Sequence, residues 1–273
     1  MKIPFMKMSG SGNDFILIDH RKPFLKEDRL KDFIQKVCRR RISVGADGLI
    51  LIERSQKADF KWRFYNSDGS EAEMCGNGGR CAARFANLKG IAGPSLEFET
   101  LAGILSAQVD GKKVKLEMTK PFGMKLDEVI SVDGERQIIS RINTGVPHVV
   151  LFVEDLEGID IMRIGRTIRF HPDFAPSGTN VNFIRVGRGS HLFIRTYERG
   201  VEDETLACGT GAVASALVAA FKGLVKSPVS IKTRGGEVLK VYFEIQAKEI
   251  KRVFFEGDVH IIYEAEMWEE AYQ

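Results

Sequence analysis

The chain has 273 residues, 44% of them hydrophobic, which is enough for one large domain or two ordinary domains with buried cores. Its formal net charge of +3 comes from 40 basic and 37 acidic side chains that are interspersed, which argues against a nucleic-acid partner. No apolar run approaches the roughly 18 residues of a membrane span, and the N-terminus lacks the features of a signal peptide, so we expect a cytoplasmic protein without membrane association.

The first half of the chain predicts several strands and two helices. Leu30, Phe33, Ile34 and Val37 recur at helical spacing and predict an amphipathic helix. An alanine-rich segment at residues 77–89 predicts a second helix, which ends at the stop signal Lys-Gly. Alternating or β-branched runs predict strands at DFILIDH, GLILIE, FKWRFYN, LEFET, ILSAQV and KVKLEM.

The second half of the chain has the same composition of elements. An alanine-rich segment at residues 210–222 again predicts a helix that ends at Lys-Gly. Strands are predicted at PHVVLFVE, NVNFIRV, LFIRTYE, VSIKT, LKVYFEI and VHIIYEA. The segment TKPFG interrupts the strand pattern, so we predict a first domain at residues 1–118, to which residues 264–273 return, and a second domain at residues 119–263.

A long internal repeat relates the two halves. The sixteen residues from Cys75 align without a gap on the sixteen from Cys208, which lies 133 residues later, and seven are identical. The same offset pairs Gly45 with Gly178, and it sets Phe60 and Phe64 against Phe193 and Tyr197. A period this long is not that of a solenoid, so we infer two copies of a domain-sized unit.

The two alanine-rich helices are apolar on every side, which is typical of buried helices. We therefore expect each to be the centre around which its own sheet curls. The predicted fold class is α/β with mixed sheets: two homologous domains related by a pseudo-twofold axis, each a curled, mostly antiparallel sheet around a central helix.

Two of the four cysteines lie where a thiol becomes reactive. Cys75 and Cys208 each precede the first turn of a predicted helix and a Gly-x-Gly sequence. The unpaired amides and the helix dipole at that position favour an anion and lower a thiol's pKa from about 8.5 towards about 7. Cys38 and Cys81 lack such a setting and are predicted to be packing residues, and no C-x-x-C spacing indicates a metal site.

The repeat indicates that the two thiols act together. If the two units pack about a pseudo-twofold axis, Cys75 and Cys208 flank one small pocket. Opposed thiols suit the inversion of a carbon centre, because a thiolate removes a proton from one face and a thiol delivers one to the other. Amides at the two helix starts can stabilise the developing negative charge. No lysine stands in a recognisable pyridoxal-phosphate setting, so no cofactor is expected.

Four motifs resemble the diaminopimelate epimerase family, whose members convert LL-diaminopimelate to the meso form without a cofactor. They are GSGNDF from Gly10, FYNSDGSEAEMCGNGGRC from Phe64, PH at Pro147, and YERGVEDETLACGTGA from Tyr197. The resemblance covers nearly the whole chain. It implies two α/β domains with the substrate between them, and lysine and peptidoglycan-precursor synthesis as the setting.

The resemblance also assigns roles to individual residues. It makes Cys75 and Cys208 the acid/base pair, with His148 and Glu198 tuning or orienting them. The positions that match substrate-binding residues of the family are Asn13, Asn66, Gly76, Asn77, Asn180, Arg199, Gly209 and Thr210. A guanidinium pairs well with a distal carboxylate, which suits Arg199 as a specificity residue.

Two positions depart from the commonest pattern of the family. Gly48 stands where many members have glutamine, and Val146 stands where many have asparagine. Each change removes a side chain that could contact a substrate and leaves the cysteine pair intact. The alternatives that stay open are a proline-type racemase or a phenazine-type isomerase of the same fold, and a non-catalytic binding protein with a thiol switch. A homodimer also stays open.

Overall fold

The computed structural model describes residues 2–273, and within them the chain forms two compact units. Unit 1 is the chain up to Glu117 together with Gly257–Gln273, and unit 2 is Met118–Glu256. Both units are rich in strands and contain few helices, so the predicted α/β class is confirmed. That each unit is an independent domain stays a prediction.

Two α-helices and eight strands lie wholly within unit 1. Its helices are α1 (Glu27–Val37) and α2 (Gly76–Leu88). Its strands are β1 (Ile3–Gly10), β2 (Asn13–Asp19), β3 (Gly48–Glu53), β4 (Phe60–Asn66), β5 (Glu71–Ala72), β6 (Ser95–Thr100), β7 (Gly103–Asp110) and β8 (Lys113–Glu117).

Unit 2 follows the same order of α-helices and strands after one additional strand at its start. Its helices are α3 (Ile161–Arg169) and α4 (Gly209–Phe221). Its strands are β9 (Phe122–Val132), β10 (Glu135–Asn143), β11 (Pro147–Phe152), β12 (Asn180–Val186), β13 (His191–Glu198), β14 (Asp203–Thr205), β15 (Val229–Lys232) and β16 (Val238–Gln246). The last strand, β17 (Glu249–Met267), begins in unit 2 and ends in unit 1.

In unit 1 the order of paired strands begins and ends with the same strand, β17. The last residues of β17 pair with β1, which pairs with β2, and β2 runs parallel to β3. Strands β3, β4, β6, β7 and β8 follow, with β4 and β6 parallel, and β8 pairs again with β17. In unit 2 the corresponding order is β9, β10, β11, β12, β13, β15, β16 and the first part of β17.

The alanine-rich helices lie at the centre of the units, as predicted. Helix α2 packs against β1, β2, β3, β7 and β8, and α4 packs against β10 to β13, β15 and β16. Ten of the thirteen residues in each of these helices are buried. Small side chains permit this close packing: a Cβ at Gly79 would lie 2.9 Å from Leu116 Cδ2.

The other two helices cover the opposite faces of the sheets. Helix α1 buries the predicted stripe of Leu30, Phe33, Ile34 and Val37, and it has acidic residues in its first turn and a lysine in its last. Helix α3, which the sequence analysis missed, begins at the N-cap Asp160 and packs on β12 and β13.

Strand register corrects part of the alignment between the two copies. Leu49 pairs with Tyr65 in unit 1, and Val181 pairs with Tyr197 in unit 2, so β12 and β13 follow an offset of 132 residues. The expected equivalences of Phe60 with Phe193 and of Phe64 with Tyr197 are therefore wrong, and Leu192 and Thr196 take the places of Phe60 and Phe64. The physical reason is that the connection from β11 to β12 is one residue shorter than the connection from β2 to β3. The connection from β13 to β14 is one residue longer than that from β4 to β5, which restores the offset of 133. A slip of one residue matters because it moves each side chain to the other face of the sheet.

Candidate active site

Cys75 is the N-cap of α2. Its backbone is extended (φ −145°, ψ 117°), and its Sγ accepts a hydrogen bond from the amide of Gly78 at 3.4 Å. The thiol is half-buried. The first amides of a helix have no intrahelical acceptor, so the turn that begins at Gly76 offers donors to an anion beside this thiol.

Cys208 occupies the same place at α4. It too is an N-cap with an extended backbone (φ −122°, ψ 110°), and it is 7% exposed. Its Sγ lies 3.5 Å from Oγ1 of Thr210, and the carbonyl of Thr210 accepts a hydrogen bond from Thr144 at 3.2 Å. Gly209 and Thr210 therefore form the first turn of α4 as Gly76 and Asn77 form that of α2.

The other two cysteines lie in a different environment. Burial raises the pKa of the Cys38 thiol to about 12, and it raises the pKa of the Cys81 thiol to about 12 as well. Cys81 is fully buried on α2. Both thiols thus stay protonated at neutral pH, which agrees with their predicted role in packing.

Asn13 and Asn77 are joined in unit 1. Nδ2 of Asn77 donates to Oδ1 of Asn13 at 2.8 Å, and Oδ1 of Asn77 accepts from the guanidinium of Arg80 at 2.8 Å. Nδ2 of Asn13 donates to Asp47 at 3.0 Å. Asp47 and Arg80 were not predicted as site residues, and they hold the predicted pair from both ends.

A partly exposed ionic cluster lies beside Asn13, with Lys7 buried and Arg40 exposed. Asp47 also pairs with Arg40 at 2.7 Å, and Arg40 and Lys7 both contact Asp14. Burial alone would raise the pKa of Asp14, but the hydrogen bonds from Arg40 and Lys7 outweigh it and lower that pKa. The carboxylate of Asp14 is therefore ionised at neutral pH, and Asp47 fixes the amide of Asn13 through its hydrogen bond.

Asn66 is not part of the hydrogen-bonded pair of Asn13 and Asn77. It is exposed at the end of β4, where its side chain donates to Ser70 at 3.1 Å and its backbone amide donates to the carbonyl of Ser70 at 2.9 Å. Within residues 2–273 it makes no hydrogen bond to Asn13 or Asn77.

His148 is buried on β11 of unit 2, with 1% of its surface exposed. Its Nδ1 lies 3.1 Å from Nδ2 of Asn182. Burial, and then the positive charge of Arg199, lower the pKa of His148 to about 3, so the ring is neutral at physiological pH. Its Nε2 has no hydrogen-bond partner in the described part of the chain.

Asn180 connects the start of β11 with the end of β13. Its Nδ2 donates to the carbonyl of Pro147 at 3.0 Å, and its Oδ1 accepts from the backbone amide of Arg199 at 2.9 Å. The guanidinium of Arg199 donates to the carbonyl of Ser177 at 3.2 Å. Three predicted site residues, His148, Asn180 and Arg199, are thus brought together.

A pocket of about 320 Å³ lies beside these residues in unit 2. Its lining includes His148 together with Pro147 and Ser177, whose carbonyls hold Asn180 and Arg199. Glu198, which precedes Arg199, is partly buried, and burial raises the pKa of its carboxyl. The neighbourhood therefore combines a neutral imidazole, a carboxyl of raised pKa and a guanidinium.

A match to a family model decides to which family this chain belongs. The model described as diaminopimelate epimerase matches residues 5–122 and 140–261. The chain belongs to the diaminopimelate epimerase family. The diaminopimelate epimerase of Aquifex aeolicus is 51% identical, over 97% of this chain and 98% of that protein. That of Archaeoglobus fulgidus is 47% identical, over 88% of this chain and 89% of that protein.

Solved structures share the fold at low identity. A phenazine biosynthesis protein of the PhzF family from Bacillus anthracis aligns with a TM-score of 0.76 and 18% identity, over 98% of this chain and 99% of that one. A probable proline racemase from Agrobacterium radiobacter aligns with a TM-score of 0.71 and 16% identity, over 98% and 93% of the two chains. At such identities the likeness shows that this chain shares its fold with these proteins and no more.

The departure at Gly48 has a structural reason in this member of the diaminopimelate epimerase family. A Cβ at position 48 would lie 2.5 Å from the carbonyl oxygen of Tyr65 and 2.7 Å from Cε2 of Phe64. A glutamine would not fit there unless β4 moved, because the Tyr65 carbonyl belongs to the backbone of that strand. Gly48 therefore brings no side chain to the site, and Phe64 fills the space.

Two further features bear on other classes of function. No group of three or more His, Cys, Asp or Glu side chains able to hold a metal occurs among residues 2–273. None of the helices formed by those residues is long and apolar enough to cross a membrane.

Proposed function

We propose that the chain interconverts LL-2,6-diaminopimelate and meso-diaminopimelate by proton transfer at Cα, with Cys75 and Cys208 as the acid/base pair. The observation that carries the proposal is the equivalent placement of the two thiols, each the N-cap of the central helix of its unit. Membership of the diaminopimelate epimerase family supports the substrate.

The proposed step balances without a cofactor. The thiolate of one cysteine takes the proton from Cα and becomes a thiol, while the C–H electron pair moves into the adjacent carboxylate. The thiol of the other cysteine then gives its proton to the opposite face of the carbon and becomes a thiolate. A turnover therefore exchanges the protonation states of Cys75 and Cys208, and each cysteine is the base for one stereoisomer.

The amides at the helix starts supply the electrostatic part of the mechanism. The reacting carboxylate gains negative charge as Cα loses its proton, and preorganised donors such as the amides of Gly76 and Gly209 stabilise that charge. One such donor contributes roughly 3–4 kcal/mol to the transition state. Asn77 and Thr210 follow these glycines, so the same turns also set the position of their side chains.

Polar side chains outside the helix starts would select the substrate. We assign Arg199 to the distal carboxylate, because a guanidinium binds a carboxylate through two parallel hydrogen bonds. Asn13, Asn66 and Asn180 are assigned to the amino and carboxylate groups that do not react. The hydrogen bonds of Asn13 and Asn180 within the protein support this role, because they hold both amides in one orientation.

Glu198 and His148 are assigned to tuning and orientation. The raised pKa of Glu198 and the lowered pKa of His148 have the same main cause, burial, and both favour the neutral form. Burial thus disfavours the charged form of both side chains, and the neutral ring of His148 adds no charge of its own to the site.

A substrate panel tests the proposal. The purified protein is incubated with LL-diaminopimelate, L-proline and trans-4-hydroxy-L-proline, and the stereoisomers are separated by chiral chromatography. We expect conversion of LL-diaminopimelate to an equilibrium mixture with meso-diaminopimelate and no inversion of the two imino acids. Inversion of proline with diaminopimelate untouched would overturn the assignment in favour of a proline-type racemase. Binding without conversion would favour a non-catalytic thiol switch.

The same proposal includes a biological setting. Meso-diaminopimelate as product implies lysine and peptidoglycan-precursor synthesis in the cytoplasm. Activity without pyridoxal phosphate is part of the proposal, and it predicts that hydroxylamine, which captures pyridoxal phosphate, leaves the rate unchanged. Gel filtration with light scattering would decide between a monomer and a homodimer.

A further inference from the structure

Three buried polar side chains lie on adjacent strands of unit 2. They are His148 on β11, Asn182 on β12 and Thr196 on β13, and each is at most 2% exposed. Nδ2 of Asn182 lies 3.1 Å from Nδ1 of His148 and donates to the carbonyl of Val149 at 2.9 Å. Oδ1 of Asn182 accepts from the hydroxyl of Thr196 at 3.0 Å.

The contact with Val149 fixes the orientation of the Asn182 amide. A backbone carbonyl accepts hydrogen bonds and cannot donate them, so the atom that faces it must be the NH₂ group. The second hydrogen of that NH₂ group is then directed to Nδ1 of His148, which must accept it. A neutral imidazole whose Nδ1 accepts carries its proton on Nε2.

Unit 1 shows that the fold does not need this polar group. By strand register, Phe15, Ile50 and Phe64 take the places of His148, Asn182 and Thr196. The helix contacts agree, because a Cβ at Gly78 would meet Ile50, and one at Gly211 would meet Asn182. The same repeat therefore packs with three apolar side chains in one copy and three polar ones in the other.

We propose that Asn182 is a positioning residue that fixes His148 as the Nε2–H tautomer, so that His148 serves the site as a neutral hydrogen-bond donor and not as a base. The tautomer follows from the hydrogen bonds within unit 2, whereas its part in catalysis rests on the proposed function.

Two observations agree with a donor role. Nε2 of His148 is buried and has no partner among residues 2–273, and a buried N–H without a partner is unfavourable unless a ligand or water satisfies it. His148 also lines the 320 Å³ pocket that Pro147 and Ser177 border. Its lowered pKa means that it does not carry a second proton at neutral pH.

The direct test is nuclear magnetic resonance of the protein labelled with ¹⁵N in histidine. The ring nitrogens of His148 are assigned by comparison with His148→Gln, and a nitrogen that carries a proton resonates well upfield of a bare one. In the wild-type protein at neutral pH we expect a bare Nδ1 and a protonated Nε2. A protonated Nδ1, or an imidazolium, would overturn the proposal whatever the protein's activity.

Variants of Asn182 test the cause. Asn182→Asp replaces the NH₂ donor with an acceptor, so we expect the proton to move to Nδ1 and kcat to fall by about 10²-fold with KM little changed. Asn182→Leu, which resembles Ile50 of unit 1, should leave a mixture of tautomers. The control is Ser215→Ala, because Ser215 is buried on α4 and its hydroxyl has no partner in the described residues. It should keep the wild-type spectrum and kcat.

The role of Asn182 and the proposed function can be disproved independently of each other. A wild-type protein with the expected tautomer but no action on diaminopimelate would contradict the proposed function and leave the tautomer assignment standing. An active wild-type enzyme in which Asn182→Asp keeps both the tautomer and kcat would contradict the role of Asn182 and leave the function standing.

Discussion

Asn77 donates a hydrogen bond to Asn13 at 2.8 Å, although 64 residues separate them in the chain. Arg80 holds the other end of the Asn77 amide, and it also donates to the hydroxyl of Ser11 at 2.6 Å and to the carbonyl of Asp258 at 3.1 Å. Arg80 is fully buried on α2. One guanidinium thus orients two predicted substrate-binding amides.

Arg80→Met should therefore weaken both the fold and substrate binding. It removes three hydrogen bonds of a buried charged group, which we expect to cost roughly 2–4 kcal/mol of unfolding free energy. Because Asn77 and Asn13 lose their anchor, KM should rise more than kcat falls. Urea unfolding and steady-state kinetics measure the two effects. Arg21→Met is the control, since Arg21 is partly exposed and pairs with Asp19, two residues before it. Unchanged kinetics in Arg80→Met would contradict the role of Arg80.

The four cysteines should differ in their reaction with iodoacetamide. We expect Cys75, a half-buried helix N-cap, to be alkylated first, and Cys208, which is less exposed, to follow more slowly. Cys38 and Cys81 should not react in the folded protein, because burial raises the pKa of each to about 12. Mass spectrometry of a time course at pH 7.5 reads the order. Cys81 reacting as fast as Cys75 would contradict it.

His148 should make the fold sensitive to mild acid. The unfolded histidine takes up a proton below its ordinary pKa of 6.5, whereas in the folded protein burial and the charge of Arg199 lower the pKa to about 3. The stabilisation by the neutral ring is thus complete above pH 6.5 and is lost as the pH falls towards 3.

The comparison of wild type with His148→Gln isolates this effect. Between pH 7 and pH 4.5 the unfolding free energy of the wild type should fall by roughly 2–3 kcal/mol more than that of the variant. Urea unfolding at the two pH values measures the difference. Equal losses in the two proteins would show that His148 has an ordinary pKa in the fold.

Arg199→Met should separate binding from chemistry. The loss of a charged hydrogen bond to the distal carboxylate, roughly 1.5–3 kcal/mol, corresponds to a KM about 10- to 100-fold higher, with kcat changed less. Arg185→Met serves as control, because Arg185 is an exposed residue of β12 that stacks on Phe193. A KM that stays at the wild-type value in Arg199→Met would refute the assignment.

The sequence predicted the centre of each unit well because composition and periodicity carry that information. Helices α2 and α4 begin and end within one residue of the predicted limits, since alanine content and the Lys-Gly stop are local signals. Helix α1 follows its apolar stripe in the same way. Positive φ at Gly45 and Gly178, 71° and 65°, likewise agrees with their equivalence in the repeat.

What the sequence did not predict depends on non-local contacts. Helix α3 is short, and it packs at Gly165, where a Cβ would lie 2.6 Å from Cβ of Tyr197. Strand β9 is mostly exposed and lacks a clear alternation. Asn182 stands two residues after Asn180 on the same strand face, but only the register shows that it meets His148.

The measurement that tests the central claim most directly is epimerisation of LL-diaminopimelate in deuterated water, followed by mass spectrometry of both stereoisomers early in the reaction. With two thiols acting on opposite faces of Cα, deuterium should appear in the meso product while the remaining LL substrate stays unlabelled. Cys75→Ala and Cys208→Ala should each abolish conversion while their folds, judged by circular dichroism, persist. Early deuterium in the remaining LL substrate, or full conversion by either variant, would contradict the two-thiol mechanism.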